Sequence, residues 1–226
     1  MKRSRINALI AQAMERFEAH GYRLPPFAFW TPAQWRRMGR QADEIRQARL
    51  GWDLTDFGSG DFDRTGLLLF TVRNGAPGGQ GHKTYCEKIM VVAPGQVTPM
   101  HYHIHKTEDI INRGGGDLVC QCHHATVDDA LDVSSPVVLS GDGVRRELGP
   151  GQLLTLAPGE SVTLTQRMYH RFCGRVGGEP VMVGEVSKVN DDRTDNRFLD
   201  PIGRFPTIEE DAEPRWLLCH EYPPAD

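Results

Sequence analysis

The stretch that most limits what this chain can become runs from Gly95 to Gly116 and reads GQVTPMHYHIHKTEDIINRGGG. His101, His103, His105 and Glu108 fall within eight residues of one another. In a strand, residues two apart point to the same face, so His101 and His103 project together. A turn after them can bring Glu108 back beside them. Imidazole nitrogens with one carboxylate form a donor set suited to a divalent transition metal. The plain alternative is a set of unrelated histidines on a surface strand, and the residues around them argue against it.

The rest of the chain reads as helices followed by strands. Ile6, Leu9, Ile10, Ala13, Met14 and Phe17 recur at helical spacing, with Ser4 as the expected N-cap and Gly21 just past the C-terminus. Thr31-Pro32 predicts a second helix, and Asp43–Leu50 either continues it or forms a short third one. From Gly66 the texture changes. Strands are expected over 67–72 and 85–92, joined by a Gly-rich loop from Asn74 to His82. After the histidine stretch they follow at 118–122, 137–140, 144–148, 153–156, 161–166, 169–173 and 180–188, and Gly141-Asp142-Gly143 is a hairpin signal. Many short strands with regular turns predict a closed or double-sheet barrel. The tail from Asn190 is polar and irregular, yet it carries Phe198, Phe205, Trp216 and Leu217, so it is expected to wrap the body as an ordered arm. The expected organisation is one domain over 1–226: a helical extension at 1–50, a barrel at 66–188 and a wrapping arm at 189–226.

With 226 residues, the chain is long enough to bury a core. Its net charge of −4 argues against a nucleic-acid or anionic-membrane partner, and no apolar run approaches the roughly 20 residues of a membrane span. The basic start MKRSRIN has no apolar region behind it, which argues against a secretory signal. Five cysteines without a CxxC fit reduced thiols in the cytoplasm. Cys120-Gln121-Cys122-His123-His124 could hold zinc, but two cysteines on one face of a strand more often belong to a core.

Several charged residues stand where apolar ones are expected. Lys88 alternates with Cys86, Met90 and Val92, which puts a cation on a face that reads as barrel interior. Glu185 sits in the strand around 181–187, as a candidate acid or base or as a salt-bridge partner for Lys88. Thr98 and Lys106 flank the histidines and are candidates for substrate contacts, as is Phe172. Asp191, Asp192 and Asp195 cluster with Arg193 and Arg197, a pattern commoner in turn bonding than in calcium loops.

Gly95, His101, His103, Glu108 and Gly115 match the first motif of the cupin superfamily: Gly, five residues, His-x-His, four residues, Glu, six residues, Gly. Gly151, Ala157-Pro158-Gly159 and His170 resemble the second, with His170 further downstream than usual. The runs EKIMVV, QVTPMH, KTEDIINRGGG, APGES, GEVS, VNDD, DNRF, GRFPTIEED and LLC-x-EY, with LPPFA-x-WTP at Leu24 and GWD-x-TDFG at Gly51, resemble the D-lyxose ketol-isomerase family over nearly the whole chain. The resemblance implies a mainly β cupin-type barrel (a double-stranded β-helix or jelly roll) with N-terminal helices. It implies one divalent ion per chain, manganese first, then zinc, cobalt or iron, held by His101, His103, Glu108 and His170, with His105 as a substitute ligand. It implies interconversion of D-lyxose with D-xylulose, and of D-mannose with D-fructose, by proton transfer through a cis-enediol. Candidates for the proton-moving carboxylate are Glu108, Glu185 and Asp200, the last at a position where the family's residue is usually Glu, and Lys88 is the charge partner. The superfamily's habit of pairing implies a homodimer. The same ligand set also serves oxygenases, phosphosugar isomerases and non-catalytic sugar-binding cupins.

Overall fold

A computed structural model describes residues 1–75, 83–191, 194–203 and 205–225. Most of the Gly-rich connection expected at 74–82, and Asp192 and Arg193 of the aspartate cluster, lie outside the described residues. The α-helices are α1 (Arg3–Ala19), α2 (Pro32–Met38) and α3 (Asp43–Gln47). The strands are β1 (Gly51–Thr55), β2 (Leu67–Asn74), β3 (Tyr85–Val92), β4 (His101–His103), β5 (Glu108–Gly115), β6 (Leu118–His124) and β7 (Val137–Gly141). They continue with β8 (Val144–Leu148), β9 (Leu153–Leu156), β10 (Ser161–Leu164), β11 (Met168–Gly174), β12 (Val181–Lys188) and β13 (Asn196–Phe198).

These strands form two antiparallel sheets, ordered β1-β2-β3-β12-β5-β10-β7-β8 and β13-β4-β11-β6-β9. This is the cupin-type barrel with helices ahead of it. An apolar core fills one part of the space between the sheets, with Met90, Val92, Ile110, Leu118, Cys120, Leu139, Leu156, Val162 and Phe172 among its members. Strand alternation does the sorting. On β1, Trp52 and Leu54 face outward into a second core with α1, so Asp53 and Thr55 face the opposite way. On β3, Ile89 faces the helix side while Lys88 and Met90 face inward.

Helix α1 buries Ile6, Ile10, Ala13 and Phe17 against the outer face of the large sheet, at the 4-3-4 spacing of a single helix face. Phe17 lies parallel to Trp52 with ring centroids 6.3 Å apart. The expected N-cap does not hold. The helix starts at Arg3, and Ser4 instead bonds the tail, its hydroxyl donating to Asp211 Oδ2 at 2.7 Å. Beyond the other end, Gly21 takes φ +74, as expected of the residue past a helix end. Thr31 caps α2 in a full capping box with Gln34, and the continuation breaks at Gly39 into a short 3-10 turn before α3. The β7–β8 hairpin turns on Asp142 (φ 51°) and Gly143 (φ 79°), the left-handed pair that a two-residue turn requires.

Three strands fall outside the expected set, one of them β5, which leads out of the histidine turn from Glu108. β1 belongs to the large sheet, where a gap separated the helical extension from the barrel, and β13 belongs to the small sheet, where the arm was read as irregular. Beyond β13 the tail lies against α1 and β1. Buried Arg3 pairs with Glu210 and Glu221, Asn7 Nδ2 donates to the Glu213 carbonyl at 2.9 Å, and Cys219 N donates to Trp52 O at 2.7 Å. The helix, the tail and β1 thus brace one another from outside the barrel. Replacing Phe17 with Ala empties the centre of that packing and should destabilise the protein by about 3–5 kcal/mol in chemical denaturation. A change below about 1 kcal/mol would mean that α1 is not part of the cooperative fold.

Candidate active site

Glu108 sits at the meeting point of the two sheets. Strand β4 carries His101 and His103 on one face, and β11 places His170 directly across from His101 in the ladder. The chain then turns and enters β5 at Glu108, on the other sheet. Donor nitrogens of His101, His103 and His170 all lie within 4.8 Å of one another. Glu108 Oε1 approaches His103 Nε2 at 3.3 Å and His170 Nε2 at 3.1 Å.

The orientation of the rings is set by the backbone. His101 Nδ1 lies 2.8 Å from Pro99 O, and His170 Nδ1 lies 2.9 Å from Met168 O. A ring nitrogen facing a carbonyl must be the donor, so Nε2 of each is the one with the lone pair. Burial, then the neighbouring His170 and His103, hold His101 well below its ordinary pKa, and burial holds His103 down as well. The Glu108 carboxyl is pushed up by burial, but Lys106 and His103 outweigh this and hold it well below the usual carboxylate range. Imidazole lone pairs and a carboxylate charge therefore converge on one buried spot. Nε2 of His170 and Nδ1 of His103 are buried without a hydrogen-bond partner. His101, His103, His170 and Glu108 fit a divalent cation, which takes one nitrogen from each ring and the carboxylate charge, while His103 Nδ1 points instead toward Asp195 Oδ2 at 3.9 Å. His105 does not converge on the set. It is exposed, and its backbone N–H donates to Asp195 Oδ1 at 2.6 Å.

Behind the ligands lies a buried ionic network. Lys106 Nζ reaches Glu108 Oε2 at 2.7 Å, Glu185 Oε1 at 2.9 Å and Asn190 Oδ1 at 3.3 Å. Lys88 Nζ reaches Glu185 Oε1 at 3.2 Å and Asn190 Oδ1 at 2.9 Å. The register explains the meeting, because Lys88 and Glu185 are direct partners on β3 and β12. Burial pushes the Glu185 carboxyl up, but Lys106 and Lys88 win and hold it below its ordinary value. The same attraction from Glu108 and Glu185 overcomes burial at Lys106 and raises its pKa.

A cavity of about 310 Å³ opens over this floor. Lys88, Lys106, Glu108, Glu185, Thr98, Phe172, His101 and His103, all singled out in the sequence, line it. Thr98 has its hydroxyl committed to both backbone groups of Phe172, at 3.1 and 3.2 Å. Asp200 is not brought here. It is exposed and lines a different surface depression, while its neighbours Ile202 and Gly203 reach the cavity. Cys120 and Cys122 belong to the apolar core, with burial pushing the Cys122 thiol up to about 12, and His123 on the opposite face bonds Asp132 O through Nδ1.

Asp53, Thr55, Phe57, Asn196 and Phe198 also line the cavity and were not singled out for it in the sequence. The available signal was the period-two alternation in Gly51–Thr55. Asp195 was read as turn bonding, and it does bond the turn between the ligand strands: its carboxylate accepts from the backbone N–H groups of His105 and Lys106 and lies 3.9 Å from His103 Nδ1.

The family model for D-lyxose isomerase matches residues 1–222. A D-lyxose/D-mannose isomerase of Serratia proteamaculans is 51% identical over 224 residues, covering 98% of each chain. One of Escherichia coli O157:H7 is 45% identical over the same length, again covering 98% of each. Among solved structures, an unliganded L-ribose isomerase of Cellulomonas parahominis shares the fold, with TM-score 0.63 at 18% identity over 92% of this chain and 98% of that one. The protein is a sugar isomerase built on a cupin-type barrel. It belongs to the D-lyxose isomerase family.

Replacing His103 with Ala should abolish ion binding and activity together. Asp195→Ala, which frees the loop but leaves the ligands, should weaken ion affinity about 10–100-fold. Metal analysis of the purified variants reads both, and an ion retained at full occupancy in His103→Ala would remove this site from consideration.

Proposed function

We propose that this isomerase interconverts D-lyxose with D-xylulose and D-mannose with D-fructose, with manganese as its first-choice ion and zinc, cobalt or iron as alternatives. The observation that carries the reading is the buried pair of carboxylates bridged by Lys106, one at the histidines and the other facing the cavity. The substrate names come from the relatives, and the division of labour comes from the geometry.

His101, His103, Glu108 and His170 would hold a divalent ion, and that ion would supply Lewis acidity to the reaction. Glu185 is the base. It is 5% exposed, lines the cavity and is held as a carboxylate by two lysines. It takes the proton from C2 of the open-chain aldose, and negative charge builds on O1 of the enediol. The hydroxyl proton passes from O2 to O1, and Glu185 returns its proton to C1, giving the ketose. Lys106 and Lys88 offset the charge that appears on the sugar oxygens while Glu185 is protonated. Glu108 serves the ion rather than the proton, because its oxygens are already shared between two imidazoles and Lys106. Asp200 is set aside as the base because it is exposed and lines the neighbouring depression rather than the cavity.

Family membership displaces the oxygenase and binding-protein alternatives. The lining cations, Lys88 and Lys106, are each already bound to carboxylates, which disfavours a phosphate-bearing sugar. Five cysteines without a CxxC fit a reducing compartment, and we place the enzyme in the cytoplasm. No helix among the described residues is long and apolar enough to cross a membrane. The sheet edges at β8 and β9 offer the pairing face for a homodimer.

Metal-loaded enzyme should convert D-lyxose to a ketose at the same rate with and without oxygen. Glu185→Gln should keep its ion and lower kcat by roughly 10² or more. A variant with near wild-type turnover would pass the role of base to Glu108.

A further inference from the structure

The ion ligands use one face of β4 and β11, and the other face of the same two strands is built as carefully. β4 is three residues long, and its ladder to β11 pairs His101 with His170. Alternation turns Tyr102 away from His101 and His103, and turns Tyr169 away from His170. That register makes the two tyrosines cross-strand neighbours, and their rings meet edge to face with centroids 4.9 Å apart. Both are buried. Both hydroxyls end on one residue of the β6–β7 connection. Tyr102 donates to Asp129 Oδ1 at 2.5 Å, and Tyr169 donates to the Asp129 carbonyl at 2.6 Å. Arg167 closes the group. Its Nη2 donates to Asp129 Oδ1 at 3.0 Å and to the Thr126 carbonyl at 2.7 Å, and its backbone N–H donates to His103 O at 2.9 Å. The bond from Tyr102, then Arg167, hold the Asp129 carboxyl below its ordinary pKa. Asp129 takes φ 60°, a left-handed conformation uncommon for a residue with a side chain and free of steric cost for glycine. The turn itself therefore does not call for a carboxylate, and the groups behind the ligands do.

We propose that Asp129, with Tyr102 and Tyr169, is a positioning group for the ion site: one residue holds both ligand strands from behind, and so keeps His101 and His103 at the spacing from His170 that a single ion requires. The proposal rests on the reading of those histidines as ion ligands. Groups that hold ligand rings in place carry part of the ion affinity. Pro99 O and Met168 O hold two of the rings directly, and the Asp129 group acts one step further back, on the strands that carry them.

The test titrates Mn2+ into ion-free wild type, Asp129→Gly, Tyr102→Phe, their double variant, Asp129→Asn and Asp128→Ala. It also records the histidine ring-nitrogen NMR resonances of the same ion-free proteins. Glycine suits this backbone and keeps the carbonyl for Tyr169, while Phe keeps the buried ring, so the two variants remove one bond from its two ends. Each should weaken Mn2+ binding about tenfold and shift the resonances of His101, His103 and His170. The double variant should lose no more than either single one, because both delete the same bond. Asp129→Asn, which keeps an acceptor for Tyr102, should recover most of the affinity. Asp128 is exposed in the same turn, and Asp128→Ala should match wild type in both measurements. Full affinity with unshifted rings in the single variants, or an equal loss in Asp128→Ala, would overturn the proposal. Additive losses in the double variant would also overturn it, since they mark a general loosening of the fold. Should Asp129→Gly fail to fold, Tyr102→Phe and Asp129→Asn carry the comparison. If wild type binds no Mn2+, the ion reading fails, and the ring resonances alone then decide whether Asp129 positions the histidines.

Discussion

Everything at the centre of this molecule depends on a buried carboxylate facing imidazole lone pairs. Glu108 Oε1 stands 3.3 Å from His103 Nε2 and 3.1 Å from His170 Nε2. Burying a charge in that company is costly unless a cation completes the set. One cation is built in: Lys106 on the far side of the same carboxylate, at 2.7 Å. The other is the ion that the nitrogens call for. Because Lys106 also holds Glu185, the ion site and the proposed base are one electrostatic unit, and the sheets must bring β4, β5, β11 and β12 into register to make it.

The barrel supplies that register cheaply in sequence terms. Strand alternation lets a single segment face two ways, so β1 gives Trp52 and Leu54 to the helix packing and Asp53 and Thr55 to the cavity. The outer brace of α1 and the tail then fixes an edge strand that would otherwise be free on one side. In this way packing remote from the chemistry holds one wall of the cavity. The other wall, β13, follows the turn pinned by Asp195, whose carboxylate reaches back to the loop carrying Lys106.

Three of the four proposed ion ligands, His101, His103 and Glu108, were legible because their spacing is local, two residues along a strand and then a turn, whereas His170 rested on the resemblance. Lys88 and Glu185 were legible as charges on faces that should be apolar, and their pairing was one of two readings open. What settles it is the β3–β12 register, a relation between residues 97 positions apart. The sequence of β1 and β13 did alternate, but strands of five and three residues beside prolines and turns carry too little pattern to stand out. Asp200 is the reverse case, legible only through the resemblance. The resemblance placed an acidic residue near the sugar, and in this chain the backbone turns so that Ile202 and Gly203 face the cavity and Asp200 faces solvent. Ser4 was displaced as a cap by the tail, a partner 207 residues away that no local pattern announces.

The central claim is that a carboxylate carries the proton between C2 and C1, and the most direct measurement is the isomerisation of D-lyxose in D2O, run through many turnovers and read by NMR at C1 of the ketose. Proton transfer through Glu185 exchanges the migrating hydrogen with solvent as the enzyme cycles, so deuterium should accumulate at C1. A ketose that reaches equilibrium with C1 unlabelled would mean that the hydrogen moves directly as hydride, and would contradict a proton-carrying role for Glu185 and its two lysines.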